Sequence, residues 1–438
     1  MLEVAGQFLT TYLFPEEQRR SAHFDVWADG QKVDAFWANK ADFTLFECGG
    51  PVTLLVALKG NFGPPVLRPL SRGVKVQAEG SKVTFTIPGP GHYCLDFEGR
   101  VPLFIYANAP ELAPPRPDDD KVHYFAAGKI HDVGTLQLHE GETLYIEGGA
   151  VVRGAIRCSS ADNVTICGRG ILDGSCFDFE ADERVRHIVF EHCHQVLVEG
   201  ITQINSTAWM LVLGHCRDVT VRNLKQIGSY VSTDGIDICG SKDVLIEDCC
   251  FRNEDDNLVV KAIAVKGHLP WDGNVENVRV RRCVILNGHP GNAMEIGYEL
   301  RAEYIRDIVF EDIDVIAAHG DGAVFSIHNG DRSVVENVLW ENIRVEHYWD
   351  KLIDLRVVHS RYNLDKTRGT VRNIRFKNIR VLQSIFNPGC SISLVGGFEA
   401  GNPITGIVLE DFFLNDHKVT HADDLEIHTR YADEITVI

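Results

Sequence analysis

Asp218-Val219-Thr220-Val221-Arg222-Asn223-Leu224 decides the fold of this chain, because its shape returns six times. It recurs as Asp243-Val244-Leu245-Ile246-Glu247-Asp248-Cys249, then from Asn277, Asp307, Asn337, Asn373 and Gly406. Successive copies start 25, 34, 30, 30, 36 and 33 residues apart. Apolar side chains hold the second, fourth and seventh positions, with mostly polar ones between. That alternation is a β-strand with one buried face. A single strand cannot bury its face alone, so the copies stack at the ~4.8 Å inter-strand spacing into a parallel solenoid. Leu224, Cys249, Cys283, Ile313, Ile343, Ile379 and Phe412 form one predicted inward ladder. Hairpin signals between copies are missing and long helical patterns are scarce. The expectation is therefore an all-β chain with a right-handed parallel β-helix over residues 121–438.

Residues 1–113 read differently. Short alternating runs such as Phe24-Asp25-Val26-Trp27 and Lys82-Val83-Thr84-Phe85-Thr86-Ile87 are punctuated by Asp29-Gly30 and Pro88-Gly89, the pattern of an antiparallel β-sandwich. Pro114-Pro115-Arg116-Pro117-Asp118-Asp119-Asp120 interrupts both textures, and residues 114–120 are the expected linker. Solenoid ends need covering. The sandwich is expected to cap the first coil and the tail from Glu426 to Tyr431 the last.

The chain has 438 residues, 45% of them apolar, with 43 basic against 62 acidic side chains and a formal charge of -19. Such a surface repels nucleic acid and acidic membranes, so neither is an expected partner. The first residues lack a basic and apolar leader pattern, and no apolar run reaches ~18 residues. A cytoplasmic location is expected. Of the twelve cysteines, Cys193, Cys249 and Cys283 sit within strand-like repeats, which suits buried reduced thiols. No paired Cys-x-x-Cys with matching histidines suggests a metal site. The oligomeric state is left open.

Within the solenoid, Ser232-Thr233-Asp234-Gly235-Ile236-Asp237 is followed one coil later by Asn253-Glu254-Asp255-Asp256-Asn257. Taken singly, aspartates beside glycine or asparagine are turn residues. Stacked coils bring Asp234, Asp255 and Asp256 onto one patch, however, and crowded carboxylates raise at least one pKa. A retained proton serves a general acid, while ionised neighbours activate a water, the division of labour of an inverting glycosidase. Asp237 reads as a support residue.

These residues, with the downstream Gly291-Asn292-Ala293-Met294-Glu295-Ile296-Gly297, resemble the polygalacturonase family, glycoside hydrolase family 28, over roughly residues 121–345. The sandwich-then-helix order is similar to the dextranase and isopullulanase family. The resemblance implies that Asp255 is the general acid and that Asp234 with Asp256 activates water, with no cofactor. Two departures stand out. Asn292 occupies the family's histidine position, and the Arg-x-Lys that grips a substrate carboxylate is missing around Ala323-Val324-Phe325-Ser326-Ile327-His328. Without those cationic contacts a uronate loses its anchor, so neutral sugars are expected, contacted by Asn292, Glu295, Glu299 and His328. Lys261 is the nearest remaining cation, and Trp209 is placed as an aromatic platform.

The additional length between Lys261 and Asn277, with His268, Pro270 and Trp271, is expected to close one end of the groove and favour exo-type trimming of oligosaccharides. Alternatives are a polygalacturonase or other uronate-active hydrolase, a polysaccharide lyase whose acids hold calcium, a transferase making cyclic products, and a non-catalytic carbohydrate-binding helix.

Overall fold

The computed structural model describes residues 8–384, 387 and 391–438. The first seven residues, which bear on the leader expectation, lie outside the described residues.

Among the described residues, the N-terminal part forms two sheets. One runs Gln31–Val33, Phe24–Ala28, Val52–Leu58, Lys82–Ile87, Gln77–Glu79, with antiparallel neighbours throughout. The other contains Leu9–Thr11, Asp42–Cys48, Leu103–Asn108, Gly91–Phe97 and Pro65–Arg68, with Ala35–Trp37 added on Asp42–Cys48. Its central pair, Leu103–Asn108 on Asp42–Cys48, is parallel. Alternation turns Phe24, Val26 and Ala28 inward, where they meet Phe46, Leu95 and Ile105 of the second sheet in one core.

Among the described residues from Val122 onward, 31 strands join one continuous sheet in which each strand pairs with its counterpart on the next coil, almost always in parallel. The coil Arg217–Arg222, Lys225–Ile227, Ile236–Cys239 lies under Lys242–Glu247, Cys250–Asn253, Leu258–Ala262. The predicted ladder from Leu224 to Phe412 is buried in the central cluster.

The first and sixth positions of the repeat explain why they carry Asp, Asn or Gly. Asp218, Asp243, Asn277, Asp307, Asn337, Asn373 and Gly406 all have φ between 54° and 67°. Asn223, Asp248, Asp312, Asn342, Asn378 and Asp411 repeat this at the sixth position, where Arg282 is the exception in residue type though not in φ. Short polar side chains and glycine tolerate this left-handed conformation, which bends the chain at each strand end. The side chains then bond along the stack, Asn277 Nδ2 to Asp243 Oδ1 at 2.6 Å and Asn337 Nδ2 to Asp307 Oδ1 at 2.9 Å.

The N-terminal sheets are not a cap on the first coil. Their outer face, with Phe36, Phe43 and Tyr106, packs on a row of outward side chains from seven strands, among them Val151, Ile171, Ile204, Ile227, Cys250, Val284 and Ile316. Apolar residues on both faces of these short strands make this flank sticky, and burying it against the sheets removes it from water. Polar contacts extend the interface towards the loops that follow, with Ser229 Oγ donating to Ala38 O at 3.0 Å and Asn39 Nδ2 to Asn205 Oδ1 at 3.2 Å. The tail is likewise a further rung: Ile427–Arg430 pairs in parallel with Ser393–Gly396.

The eleven described cysteines are all free. Among the described residues no helix is long and apolar enough to cross a membrane.

Candidate active site

Three consecutive strands of one helix face, Ile236–Cys239, Leu258–Ala262 and Met294–Leu300, pair Ile236 with Leu258 and Leu258 with Met294. Two residues earlier in each chain segment stand Asp234, Asp256 and Asn292, with Trp209 at the same offset before Leu211. Parallel register thus sets these four residues in a row across four coils, as the sequence spacing predicts.

Buried amides hold the loops of that row. Gln226 Nε2 donates to Gly235 O at 3.1 Å and to Gln203 Oε1 at 2.8 Å. Asn253 accepts from Gly228 N at 3.0 Å and donates to Gln226. Asn257 bonds Asn287, which in turn donates to Gly291 O at 2.6 Å. Gly291 is required by close approach, since a Cβ there would lie 2.0 Å from the Asp255 carbonyl carbon. Sequence reading missed this amide stack. Its signal is the polar residue recurring at buried positions of successive coils.

Each carboxylate has its own surroundings. Asp255 is half-buried and accepts from Ser232 N at 2.8 Å and Asp256 N at 3.1 Å. Asp256 is buried, and its Oδ1 accepts both the backbone N–H and the side-chain amide of Asn292, at 2.6 and 2.8 Å. Asn292 Oδ1 in turn accepts from Ala323 N at 2.8 Å. Asn292 therefore aims Asp256. Burial, with Glu295 and Asp255 nearby, pushes the Asp256 pKa up to about 7.

Asp234 Oδ2 accepts from Lys261 Nζ at 2.9 Å. Asp237 Oδ1 lies 3.1 Å from the same nitrogen, within ion-pair reach though not aligned as a hydrogen bond. Burial lifts the Asp237 pKa to about 6 against the pull of Lys261. Burial also raises Asp234 well above the carboxylate range; Lys261 opposes this, while Asp237, Asp255 and Asp256 add to it. Burial disfavours the Lys261 ammonium, yet Asp234 and Asp237 hold its pKa well above the ordinary value. Four carboxyl groups, Asp234, Asp237, Asp255 and Asp256, outnumber the two cations beside them, Lys261 and Arg186, and with burial this keeps at least one proton in the cluster near neutrality.

A second network adjoins Asp256. Glu295, 0% exposed, accepts from His328 Nδ1, its two oxygens lying 2.9 and 3.0 Å away. His328 Nε2 lies 3.2 Å from Asp354 Oδ2, and Arg356 closes on Asp354. Burial opposes charge on His328, but Glu295 and Asp354 raise its pKa to about 9. The Tyr298 ring stacks on His328 at 4.4 Å. Asp354 and Arg356 escaped sequence reading because they belong to the next coil, where His328 pairs with Arg356.

Lys261, Glu295 and His328, expected as substrate contacts, are buried and hold ion pairs with neighbouring side chains. The Trp209 ring carries Lys261 Nζ at 4.3 Å and the Arg186 guanidinium at 4.6 Å, so cations press on the expected sugar platform. Glu299 is half-buried and adds to the negative field on Lys261.

The segment after Lys261 folds back over the same helix face. Trp271, 0% exposed, packs on Val189, Val212 and Cys239, outward residues of three coils, and Ile263 bridges to it. Its indole donates to Glu191 at 3.0 Å. A cavity of about 1050 Å³ beneath segment 109–115 contains none of the carboxylates above. Among the described residues, no group of three or more His, Cys, Asp or Glu side chains is arranged to hold a metal ion.

A right-handed β-helix bearing crowded aspartates on one sheet face is the arrangement of a carbohydrate-cleaving enzyme. The chain belongs to glycosyl hydrolases family 28, which matches residues 140–415, and it is a glycosidase of that family. No curated protein matches by sequence. Among solved structures, it is similar to Dex49A from Penicillium minioluteum, at 12% identity and a TM-score of 0.64, covering 98% of this chain and 96% of that one. The Yersinia enterocolitica family 28 exopolygalacturonase matches at 13% identity and TM-score 0.54, over 99% and 96%. The Erwinia carotovora polygalacturonase matches at 18% and 0.56, over 75% and 99%. Such identities establish a shared fold.

Proposed function

We propose that the protein is an inverting, exo-type glycoside hydrolase that trims oligosaccharides of neutral sugars. The observation that carries this reading is the register-locked row of Asp234 and Asp256 beside Asp255, with carboxyls outnumbering the cations Lys261 and Arg186. Asp255, the most exposed of the trio, takes over the proton that the cluster shares and donates it to the glycosidic oxygen, which leaves Asp234 and Asp256 ionised. That oxygen leaves with the bonding electron pair as a hydroxyl. Asp234 and Asp256 orient a water and take its proton as it attacks the anomeric carbon from the opposite face. Asn292 and Lys261 position these two bases.

Two features support the substrate class. Lys261 and Arg356 are both committed to aspartates, which removes them as carboxylate anchors. The fold-back around Trp271 covers the floor of the N-terminal coils, which suits a closed-end pocket over a through-going groove. The uronate-active alternative rests on Arg186. Its guanidinium stacks on Trp209 and Trp271 and its Nε is buried without a hydrogen-bond partner.

A panel of aryl glycosides and short oligosaccharides, neutral and uronic, assayed with and without chelator, tests the proposal. Chelator-insensitive release from neutral glycosides is expected. Turnover of uronides alone, with loss in Arg186→Ala, supports the alternative. An unsaturated, ultraviolet-absorbing product identifies a lyase.

A further inference from the structure

A cavity of about 490 Å³ opens between the N-terminal sheets and the helix, next to the loops that carry the aspartate row. Its walls include Arg19 and Trp37 from the sheets, Arg153 and Asp173 from early coils, and Phe179 and Tyr230 from helix loops. The volume falls in the range of small-molecule sites.

Three observations give it a chemistry. First, the aromatic rings are half-buried and held rigid. Phe179 and Tyr230 stack at 4.1 Å with a 17° tilt, and the Arg184 guanidinium lies 4.0 Å from the Phe179 ring. Tyr230 and Arg184 cover the two faces of Phe179, so the ring faces left for the C–H face of a sugar are those of Tyr230 and Trp37.

Second, polar groups with spare capacity sit beside them. Asp173 is buried and accepts Ser175 N and Asn205 Nδ2, both at 2.9 Å and both on Oδ1, leaving Oδ2 for a ligand hydroxyl. Arg153, paired in register with Asp173, has a buried Nε with no partner. A buried donor left unmade is costly, so the Arg153 side chain gains by turning towards a ligand oxygen. Third, the lining acids Glu17, Asp173, Asp178 and Glu180 outnumber Arg19 and Arg153, which disfavours an anionic sugar.

The cavity is continuous with the catalytic loops. Tyr230 O accepts from Thr233 N at 3.0 Å, immediately before Asp234. Asn205 and Thr207, also in the lining, lead into Trp209.

We infer that this cavity is a second carbohydrate subsite, holding a distal neutral sugar of the oligosaccharide whose scissile bond lies at Asp255. The inference rests on the hydrolase reading above and gives the N-terminal sheets a part in substrate recognition.

The test is calorimetric titration of malto-, isomalto-, xylo- and galacto-oligosaccharides of one to five units into Asp255→Asn protein, which binds without cleaving. Affinity in the best series is expected to rise with chain length, and Trp37→Ala to remove about tenfold of that gain. Arg153→Gln, which leaves the aromatic packing untouched, is expected to lower it in the same direction, and serves if Trp37→Ala does not fold. An unchanged length dependence in both variants overturns the subsite, as does a uniform loss for one-unit and five-unit ligands. If wild-type protein cleaves aryl glycosides but no series shows a length gain, the subsite fails and the hydrolase reading stands. A length gain sensitive to Trp37, with no hydrolysis of any glycoside, sinks the hydrolase reading instead.

Discussion

Replacing Asp256 by Asn is expected to make the protein more stable and far less active, and the stability gain is expected to grow with pH. The Asp256 carboxyl has its pKa raised from 3.8 to about 7 in the folded chain. Between those values the native protein holds a proton that the unfolded chain has released, so stability falls as pH rises through that window. Three pKa units correspond to about 4 kcal/mol, the ceiling for the cost removed by a residue that cannot ionise. An asparagine Oδ1 can still accept both hydrogen bonds from Asn292, so the loop geometry is kept. Urea denaturation of both proteins from pH 4 to pH 8 measures the effect. The two curves should meet near pH 4 and diverge by at least about 1 kcal/mol by pH 8, while glycosidase turnover drops ~100-fold or more. Parallel stability curves across that range would refute the buried, proton-holding environment argued for Asp256.

Three other perturbations follow from the same contacts. Lys261→Met leaves Asp234 and Asp237 buried without their ion-pair partner; a loss of about 3 kcal/mol is expected at pH 8, shrinking at pH 5 where the carboxyls take up protons, measured by denaturation at both pH values. His328 has a folded pKa of about 9 against an ordinary 6.5, so its contribution is full below about 6.5 and is lost as pH rises through 9. His328→Ala should therefore cost roughly 3–5 kcal/mol at pH 6 and clearly less at pH 10 by thermal unfolding. Trp271→Ala removes the buried indole from Val189, Val212 and Cys239; about 3–5 kcal/mol of stability should go, and chromatography of the products should show longer oligosaccharides released as the blocked end opens.

The helix was legible because its information is local and repeated. Apolar residues at alternate positions mark each strand, while the left-handed bends at its first and sixth positions became visible only in the structure. The row of Asp234, Asp256 and Asn292 was legible for the same reason: parallel stacking turns sequence interval into spatial adjacency. What the sequence concealed depends on register across coils of unequal length. The interval from Glu295 to His328 does not reveal that they face each other, nor that Asp354 and Arg356 complete the network one coil on. Lys261 was visible as a cation near the site, but only geometry shows it bridging Asp234 and Asp237 instead of facing a substrate. The docked flank was hidden because residues such as Ile227 and Cys250 sit on short strands with both faces buried. In such strands alternation no longer tells inside from outside.

The stereochemistry of the first product tests the central claim most directly. Proton nuclear magnetic resonance of an active glycoside, followed from the first moments of hydrolysis, distinguishes the two anomers before mutarotation mixes them. The account predicts release of the anomer opposite to that of the substrate, and no such signal from Asp255→Asn. Initial release of the same anomer would mean a covalent intermediate and would contradict the water-activating roles given to Asp234 and Asp256.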